Sequence, residues 1–522
     1  MHIKSRLPDL PPIPDANIFD LLFTSSSSQG AQIPDYTVYI DAATGLRHSL
    51  RQPLQVQLAN ALLAITTPFA NSSTYATVYE LTHALRTAKP KVLFVRPALL
   101  PIALAAAKEV GLSETQIYIL EGTSSDGRLS SQGLANRVRK GSIAREPIRP
   151  AKKNTLTYLV SSSRTSGLPK GGLLSWLPME TFGRRCSWEL YGSKGGKFLQ
   201  LTSPKEPPIA LCFLPLYHAY SLNVVAFRMF SIVPLTYVIM DKWNTSAVLK
   251  AISKYHVNIL ALVPSAMHQL LNHLEFTKTD FSSVISTSCG VAHLPTTLRD
   301  KFFSRFNNGT LWEGYGTSEV TLGISRKTIN GLFGFKVRTI REDGSEADVD
   351  EPGELWVKAP VVALGYYRNE NATREAFVDG WLRTGDWMHI DKNEFLHFVE
   401  RKKDTFKVEG AQVSPSEIEN VLHAQPDGLI IDACVGGVSR GRTSDEKVPR
   451  AWIVLSDEGK QRGAEETVKV LETRTKENLS PYKWLRGGFE VADVIPKTPT
   501  GKILRRLLQE KFEAQYVARA KL

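Results

Sequence analysis

The residues best suited to chemistry are gathered in one run, Ser161-Ser162-Ser163-Arg164-Thr165-Ser166-Gly167-Leu168-Pro169-Lys170-Gly171-Gly172. Hydroxyls crowd its first half, and glycines bracket a proline and a lysine in its second. Such a loop bends tightly and brings backbone N–H groups, hydroxyls and one ammonium onto a single anion. A nucleotide triphosphate is an anion of that kind. The same composition also makes a flexible surface linker. No G-x-x-x-x-G-K-[ST] run passes through it, so it is not a Walker A loop.

The elements that must position this loop are legible around it. Leu156 to Val160 reads as a strand leading into it. Thr37 to Leu58 suits a strand, a turn at Thr44-Gly45 and a helix, and Tyr79 to Ala88 a further helix. Strand-like runs follow at Lys91–Val95, Ile209–Pro215, Val233–Met240 and Val257–Val263, with helical patterns between several of them. This alternation predicts an α/β fold with largely parallel sheets. Gly353 to Ala359 alternates among turns, which predicts an antiparallel or barrel-like piece. Ser414-Pro415-Ser416-Glu417 is a capping box with proline at the first helical position, and Ile418, Val421 and Leu422 share one face after it. Pro426-Asp427-Gly428 stops that helix and Leu429 to Val438 reads as a strand, so a smaller α+β domain follows the large one.

Further blocks come in order: Leu214-Pro215-Leu216-Tyr217-His218, Gly314-Tyr315-Gly316-Thr317-Ser318-Glu319, Gly353-Glu354-Leu355-Trp356-Val357, Gly380-Trp381-Leu382-Arg383-Thr384-Gly385-Asp386, Glu400-Arg401-Lys402-Lys403-Asp404, Lys407 with Glu409-Gly410-Ala411-Gln412-Val413, and Pro496-Lys497-Thr498-Pro499-Thr500-Gly501-Lys502. Together with the loop they resemble the adenylate-forming superfamily of acyl- and aryl-CoA ligases, in its 4-coumarate-CoA-ligase-like branch. The resemblance runs from about Thr37 to Leu508. It implies a large N-terminal domain of layered α/β sub-domains plus a small β-barrel-like piece, residues 1–401. A smaller, mobile α+β C-terminal domain, 402–522, would turn on a hinge near Lys403.

The resemblance also implies roles. Ser162, Ser163, Thr165, Ser166, Gly167 and Lys170 would contact nucleotide, the last four at the β- and γ-phosphates. Gly290, Gly316 and Ser318 would line the nucleotide, and Tyr315 would stack on adenine. Glu319, with Ser318 beside it, would hold Mg²⁺, which wants oxygen ligands. Asp386 and Arg401, fifteen residues apart, would grip the ribose. Lys502, taken to open an amphipathic helix with Ile503, Leu504, Leu507 and Leu508, would meet charge at the α-phosphate, where an ammonium in a dry site is most effective. Lys407 and Gln412 would contact the adenylate. His218, at a strand end, would gate the acyl pocket, near Tyr220 and Gly290. Taken singly, Glu319 reads as an exposed loop residue, Tyr315 as a core aromatic, Asp386 as a turn residue, His218 as structural and Lys502 as a solvated lysine. The chain departs from the family at Arg164 (for Gly), Ser166 and Ser318 (for Thr), Ser221 (for Gly), His293 (for Pro) and Glu409 (often Lys). After Leu58 it lacks a strand and a helix.

At 522 residues, with 42% hydrophobic and 22% charged content, the chain has the composition of a soluble globular protein. The formal charge of +12, from 64 basic and 52 acidic residues, is spread along it and suits polyanions such as ATP or CoA. No aromatic-interleaved basic patch points to nucleic acid. Cys186, Cys212, Cys289 and Cys434 have neither metal-site nor disulfide spacing. No apolar leader and no membrane span is expected; Ala98–Ala107 is too short. Ala520-Lys521-Leu522 resembles a peroxisomal import tripeptide, so an import receptor is an expected partner, with the cytoplasm as the other location. The expected activity is an ATP-, Mg²⁺- and CoA-dependent acid–thiol ligase acting on an aryl or medium-chain carboxylic acid in a specialised pathway. Two rivals stand beside it: an adenylating enzyme with an amine or carrier-protein thiol as acceptor, and a non-catalytic nucleotide-binding homologue.

Overall fold

The computed structural model describes residues 2–4, 37–45, 47–49, 56–74, 76–144, 146–152, 155–162, 170–175, 207–215, 217–222, 225, 235–291, 294, 296–305, 310–320, 325–326, 336–359, 362–401, 404–408, 411–439, 447–498 and 501–520. A large N-terminal unit is built on an eight-stranded sheet in the order Ser325–Arg326, Thr310–Tyr315, Ser286–Gly290, Ile259–Leu262, Ile209–Cys212, Thr236–Ile239, Thr37–Asp41, Arg47–Ser49. The inner six strands are parallel and only the two outermost run antiparallel. Apolar runs such as Ile259–Leu262 form the inner strands because helices Thr245–Tyr255 and Pro264–Leu271 pack on the sheet. Val238, Ile252, Leu260, Leu262 and Met267 are among the fully buried residues of that core. Burying each such side chain contributes about 1.5–3 kcal/mol.

An antiparallel sheet follows, with Lys336–Ile340, Gly353–Lys358 and Trp381–Ile390 side by side and Leu396–Arg401 on the last of these. The alternation at Gly353 therefore marks antiparallel pairing, as expected. A third sheet holds the hairpin Leu156–Ser162/Lys170–Ser175, flanked by Phe69–Ala70 and Gly365–Tyr366. The stretch around Leu58, where the resemblance implies a further strand and helix, is one uninterrupted helix, Val56–Ala64. Its Leu63 is buried against Tyr158, Val160, Ala219 and Leu222, so this helix is packed into the core.

The smaller C-terminal unit has the antiparallel pair Ile430–Ser439/Lys447–Leu455, with Phe489–Val491 parallel beside it and helices Pro415–His423, Ala464–Asn478 and Arg505–Ala520. Three sequence expectations change. Pro415 does open its helix, but the Ser414 side chain makes no cap hydrogen bond; the Ser414 and Ser416 hydroxyls lie 3.0 Å apart, and Ser416 Oγ donates to the Val399 carbonyl at 3.1 Å. Lys502 precedes its helix, which starts at Arg505, because a tight turn intervenes. His218 is not at a strand end: that strand stops at Cys212, and His218 caps the short helix Ala219–Ser221. Among the described residues no helix is long and apolar enough to cross a membrane.

Candidate active site

Ligands of open parallel sheets gather beyond the carboxyl ends of the strands, where the connecting loops diverge. Here those ends are Cys212, Leu262, Gly290 and Tyr315. His218, Ser265, Val291 and the Gly316–Glu319 turn follow just after them. Gly290 and Gly314 are register partners on adjacent strands, and a Cβ on Gly290 would lie 3.0 Å from the Gly314 carbonyl. Glycine there keeps the edge of the sheet open. Tyr220 reaches across the same edge, its hydroxyl 3.0 Å from Ser288 Oγ.

Asp386 comes from the antiparallel sheet. It is 5% exposed and stands opposite Arg401 in register. A buried carboxylate is costly unless it is hydrogen-bonded. Tyr315 donates its hydroxyl proton to Asp386 Oδ2 at 2.7 Å, and the Asp386 N–H donates to Thr384 Oγ1 at 3.1 Å. Tyr315 also packs on the apolar core of that sheet, so it is both a core aromatic and the link between the two sheets. Asp386 lies within a strand, not a turn.

The hairpin carrying the hydroxyl- and glycine-rich loop closes on Ser162 and Lys170, which are register partners. Ser163, Thr165, Ser166 and Gly167, with Arg164, lie outside the described residues, as do Glu409 and His293. Glu319 sits in the one-turn helix Ser318–Val320. Its backbone carbonyl accepts from the Ala363 N–H at 2.7 Å, and its Oε1 accepts from the Tyr366 hydroxyl at 2.8 Å. Thr317 Oγ1, two residues before it, is buried and has no hydrogen-bond partner among the described residues. No group of three acidic, histidine or cysteine side chains is placed to cage a metal among the described residues. One carboxylate beside hydroxyls fits Mg²⁺, which keeps waters and takes its other ligands from substrate phosphates.

The C-terminal unit delivers Lys502. Its turn is closed by Gly501 N–H to the Thr498 carbonyl and Thr498 N–H to the Lys502 carbonyl, both 2.8 Å. Gly501, at φ +82°, presses on the N-terminal unit: a Cβ there would lie 2.4 Å from Ser265 Oγ. That contact places Lys502 near His218. Burial pushes the His218 imidazole down to about 4, and the Lys502 charge pushes the same way. His218 is therefore a neutral group at physiological pH, with Nδ1 accepting from the Tyr220 N–H at 3.2 Å. A second contact between the units pairs the rings of His268 and His423, 6.3 Å apart. Lys407 and Gln412 are register partners in the hairpin Phe406–Val408/Ala411–Val413. Burial raises the Cys289 thiol to about 12, which removes it as a nucleophile at neutral pH.

The structure thus brings together Lys502 with His218, Tyr315 with Asp386, and Asp386 with Arg401. Residues 53–367 match the AMP-binding enzyme family and residues 417–502 match the AMP-binding enzyme C-terminal domain. The chain belongs to the AMP-binding enzymes, the adenylate-forming superfamily. It is 30% identical over 465 residues to acyl-CoA ligase AKT1 of Alternaria alternata, covering 84% of this chain and 78% of that one. It is 27% identical over 475 residues to peroxisomal OPC-8:0-CoA ligase 1 of Arabidopsis thaliana, covering 87% and 80%. The fold is shared with the amide bond synthetase McbA of Marinactinospora thermotolerans, at TM-score 0.71 and 23% identity, covering 88% and 87%. The motifs of this AMP-binding enzyme did not single out Thr317 or Tyr366. The only local signal for Tyr366 is its place in Gly365-Tyr366-Tyr367, just after an apolar run.

Proposed function

We propose that the protein is an ATP-dependent acid–thiol ligase. A carboxylate oxygen of an aryl or medium-chain acid attacks the α-phosphorus of ATP, and the α–β anhydride bond breaks to release pyrophosphate. The CoA sulfur then attacks the acyl carbonyl, its proton is lost to solvent, and AMP leaves. The observation that carries this reading is the seating of Lys502, from the C-terminal unit, beside His218 at the carboxyl edge of the N-terminal sheet. There the ammonium meets the charge that develops at the α-phosphate. Asp386 and Arg401 grip the ribose, Tyr315 faces adenine, and Ser162, Ser163, Thr165, Ser166, Gly167 and Lys170 hold the phosphates, with Gly290, Gly316 and Ser318 lining the base and sugar. Glu319 and Ser318 would hold Mg²⁺, which would supply positive charge against the phosphates.

The thioester step uses rotation of the C-terminal unit to bring Lys407 and Gln412 to the adenylate. Arg505 supports a pivot before Asp404: its guanidinium reaches both Asp404, at 3.4 Å, and Glu419, at 2.8 Å, and so binds Asp404 to the C-terminal unit. The proposed pivot is Lys403, immediately before Asp404 in sequence and outside the described residues. Peroxisomal residence belongs to the same proposal, supported by Ala520-Lys521-Leu522 and by the name of the Arabidopsis relative.

A second acceptor is kept for one reason. Glu409, outside the described residues, stands where the resembled family often has Lys; a carboxylate near CoA phosphates would repel them, and an amine acceptor would escape that repulsion. The test is ATP–pyrophosphate exchange over a panel of aryl and medium-chain acids, followed by product analysis with CoA or with amines. Acid-dependent exchange and an acyl-CoA product are expected. Exchange with amide but no thioester would select the second acceptor, and no exchange with any acid would overturn the catalytic reading.

A further inference from the structure

Tyr366 does no work in the reaction just described, yet its hydroxyl is aimed at the carboxylate assigned to the cation. It donates to Glu319 Oε1 at 2.8 Å across 47 residues of sequence. The backbone around it is held on two sides. Tyr366 pairs with Gly172 and Gly365 with Leu173, on the outer strand of the phosphate-loop hairpin. The Tyr366 N–H donates to Thr373 Oγ1 at 2.9 Å, and Thr373 belongs to the helix Glu370–Ala376. Gly365 has no room for a side chain, since a Cβ would lie 2.6 Å from Thr373 Cγ2. The ring stands edge-on to Phe377, with centroids 5.9 Å apart. The same segment grips Glu319 through its backbone, by the Ala363 N–H at 2.7 Å.

Glu319 is thus fixed twice, at its carbonyl and at one carboxylate oxygen, by a segment that also borders the phosphate-loop hairpin. We propose that Tyr366 is a positioning residue: it holds Oε1 of Glu319 so that the carboxylate presents its other oxygen, Oε2, to a divalent cation accompanying the nucleotide phosphates. The tyrosine can serve this way because a phenol donates one hydrogen bond and carries no charge to compete with the cation. Groups that orient a ligating carboxylate typically govern metal affinity about 10- to 100-fold. The inference rests on reading Glu319 as the cation ligand, and its test separates the two.

The experiment titrates Mn²⁺ by electron paramagnetic resonance into the full-length protein saturated with α,β-methylene-ATP. The proteins compared are the wild type, Tyr366→Phe, Glu319→Gln and the double variant, each first checked for an intact thermal transition. Tyr366→Phe is expected to weaken Mn²⁺ about ten-fold with unchanged affinity for the metal-free nucleotide. Glu319→Gln should weaken it at least as much, and the double variant no further than Glu319→Gln. Should Tyr366→Phe fold poorly, 4-aminophenylalanine placed at position 366 keeps a donor in the same place and is expected to bind Mn²⁺ like the wild type. Wild-type Mn²⁺ affinity in Tyr366→Phe alongside weak binding in Glu319→Gln overturns the role of Tyr366 alone. Unchanged binding in both variants overturns the ligand assignment too. A double variant weaker than Glu319→Gln by the full Tyr366→Phe factor shows that the tyrosine acts elsewhere and also overturns the proposal.

Discussion

The seating of Lys502 depends on a glycine, and Gly501→Ala tests it directly. Gly501 sits at φ +82°, and an added Cβ would meet Ser265 Oγ at 2.4 Å and Val263 Cγ2 at 3.3 Å. Alanine in the left-handed region costs about 1–2 kcal/mol. Forcing a methyl into a filled contact costs about 1–3 kcal/mol more. If both oppose docking of the Thr498–Lys502 turn, adenylation falls by roughly 2–5 kcal/mol, at least about 30-fold in rate. The assay is acid-dependent ATP–pyrophosphate exchange, run beside thioester formation from pre-formed acyl-adenylate. On the proposed mechanism only the first reaction needs Lys502 seated on Ser265, so only the first should fall. Ser265→Ala on the same chain removes the clashing oxygen and leaves a carbon 3.6 Å away, an ordinary contact. The double variant should recover about ten-fold, with the backbone strain remaining. Wild-type exchange in Gly501→Ala, or an equal loss in both half-reactions, would refute the argument that this contact positions the lysine.

Other consequences are open to measurement. Lys502→Ala should lower exchange by about 100- to 1000-fold while ATP binding is kept, as when one preorganised charge-stabilising group is removed; in the same variant the His218 imidazole, relieved of a neighbouring cation, should titrate at higher pH by NMR. His218 and His268 are both held near 4, burial being the main cause in each. Their folded values lie below the unfolded one of about 6.5, so the unfolded chain takes up protons first as pH falls. Their stabilising effect is complete above about pH 6.5 and is lost progressively towards pH 4. Thermal midpoints should decline over that window, and less steeply in His268→Asn. Tyr315→Phe removes the donor 2.7 Å from Oδ2 of the buried Asp386 carboxylate. A loss of about 1.5–3 kcal/mol is expected, read as weaker AMP binding and a lower thermal midpoint.

The family, the two-unit plan and the antiparallel character near Gly353 were all readable from sequence, because they rest on local periodicity and on motifs in a fixed order. Asp386 and Arg401 were linked in sequence only through the ribose role that the resemblance implies; that they are register partners on adjacent strands came from the structure. Local signals misled where a partner outside the local stretch decides the geometry. Ser414 has every local mark of a capping residue, yet its neighbour Ser416 bonds to Val399 and the cap bond is not made. His218 looked like the end of a strand because Leu214 and Pro215 prolong an apolar run, but the chain leaves the sheet at Cys212.

By itself the sequence determined which side chains are available and the order in which the chain presents them, because backbone preference and hydrophobic period are short-range properties. Tertiary structure alone decided which of them meet. Tyr315 finds Asp386 across 71 residues, Tyr366 finds Glu319 across 47, and Gly501 closes on Ser265 from a separate unit. Each of these depends on how whole sheets and helices pack, and packing is set by surfaces that no stretch of chain carries alone.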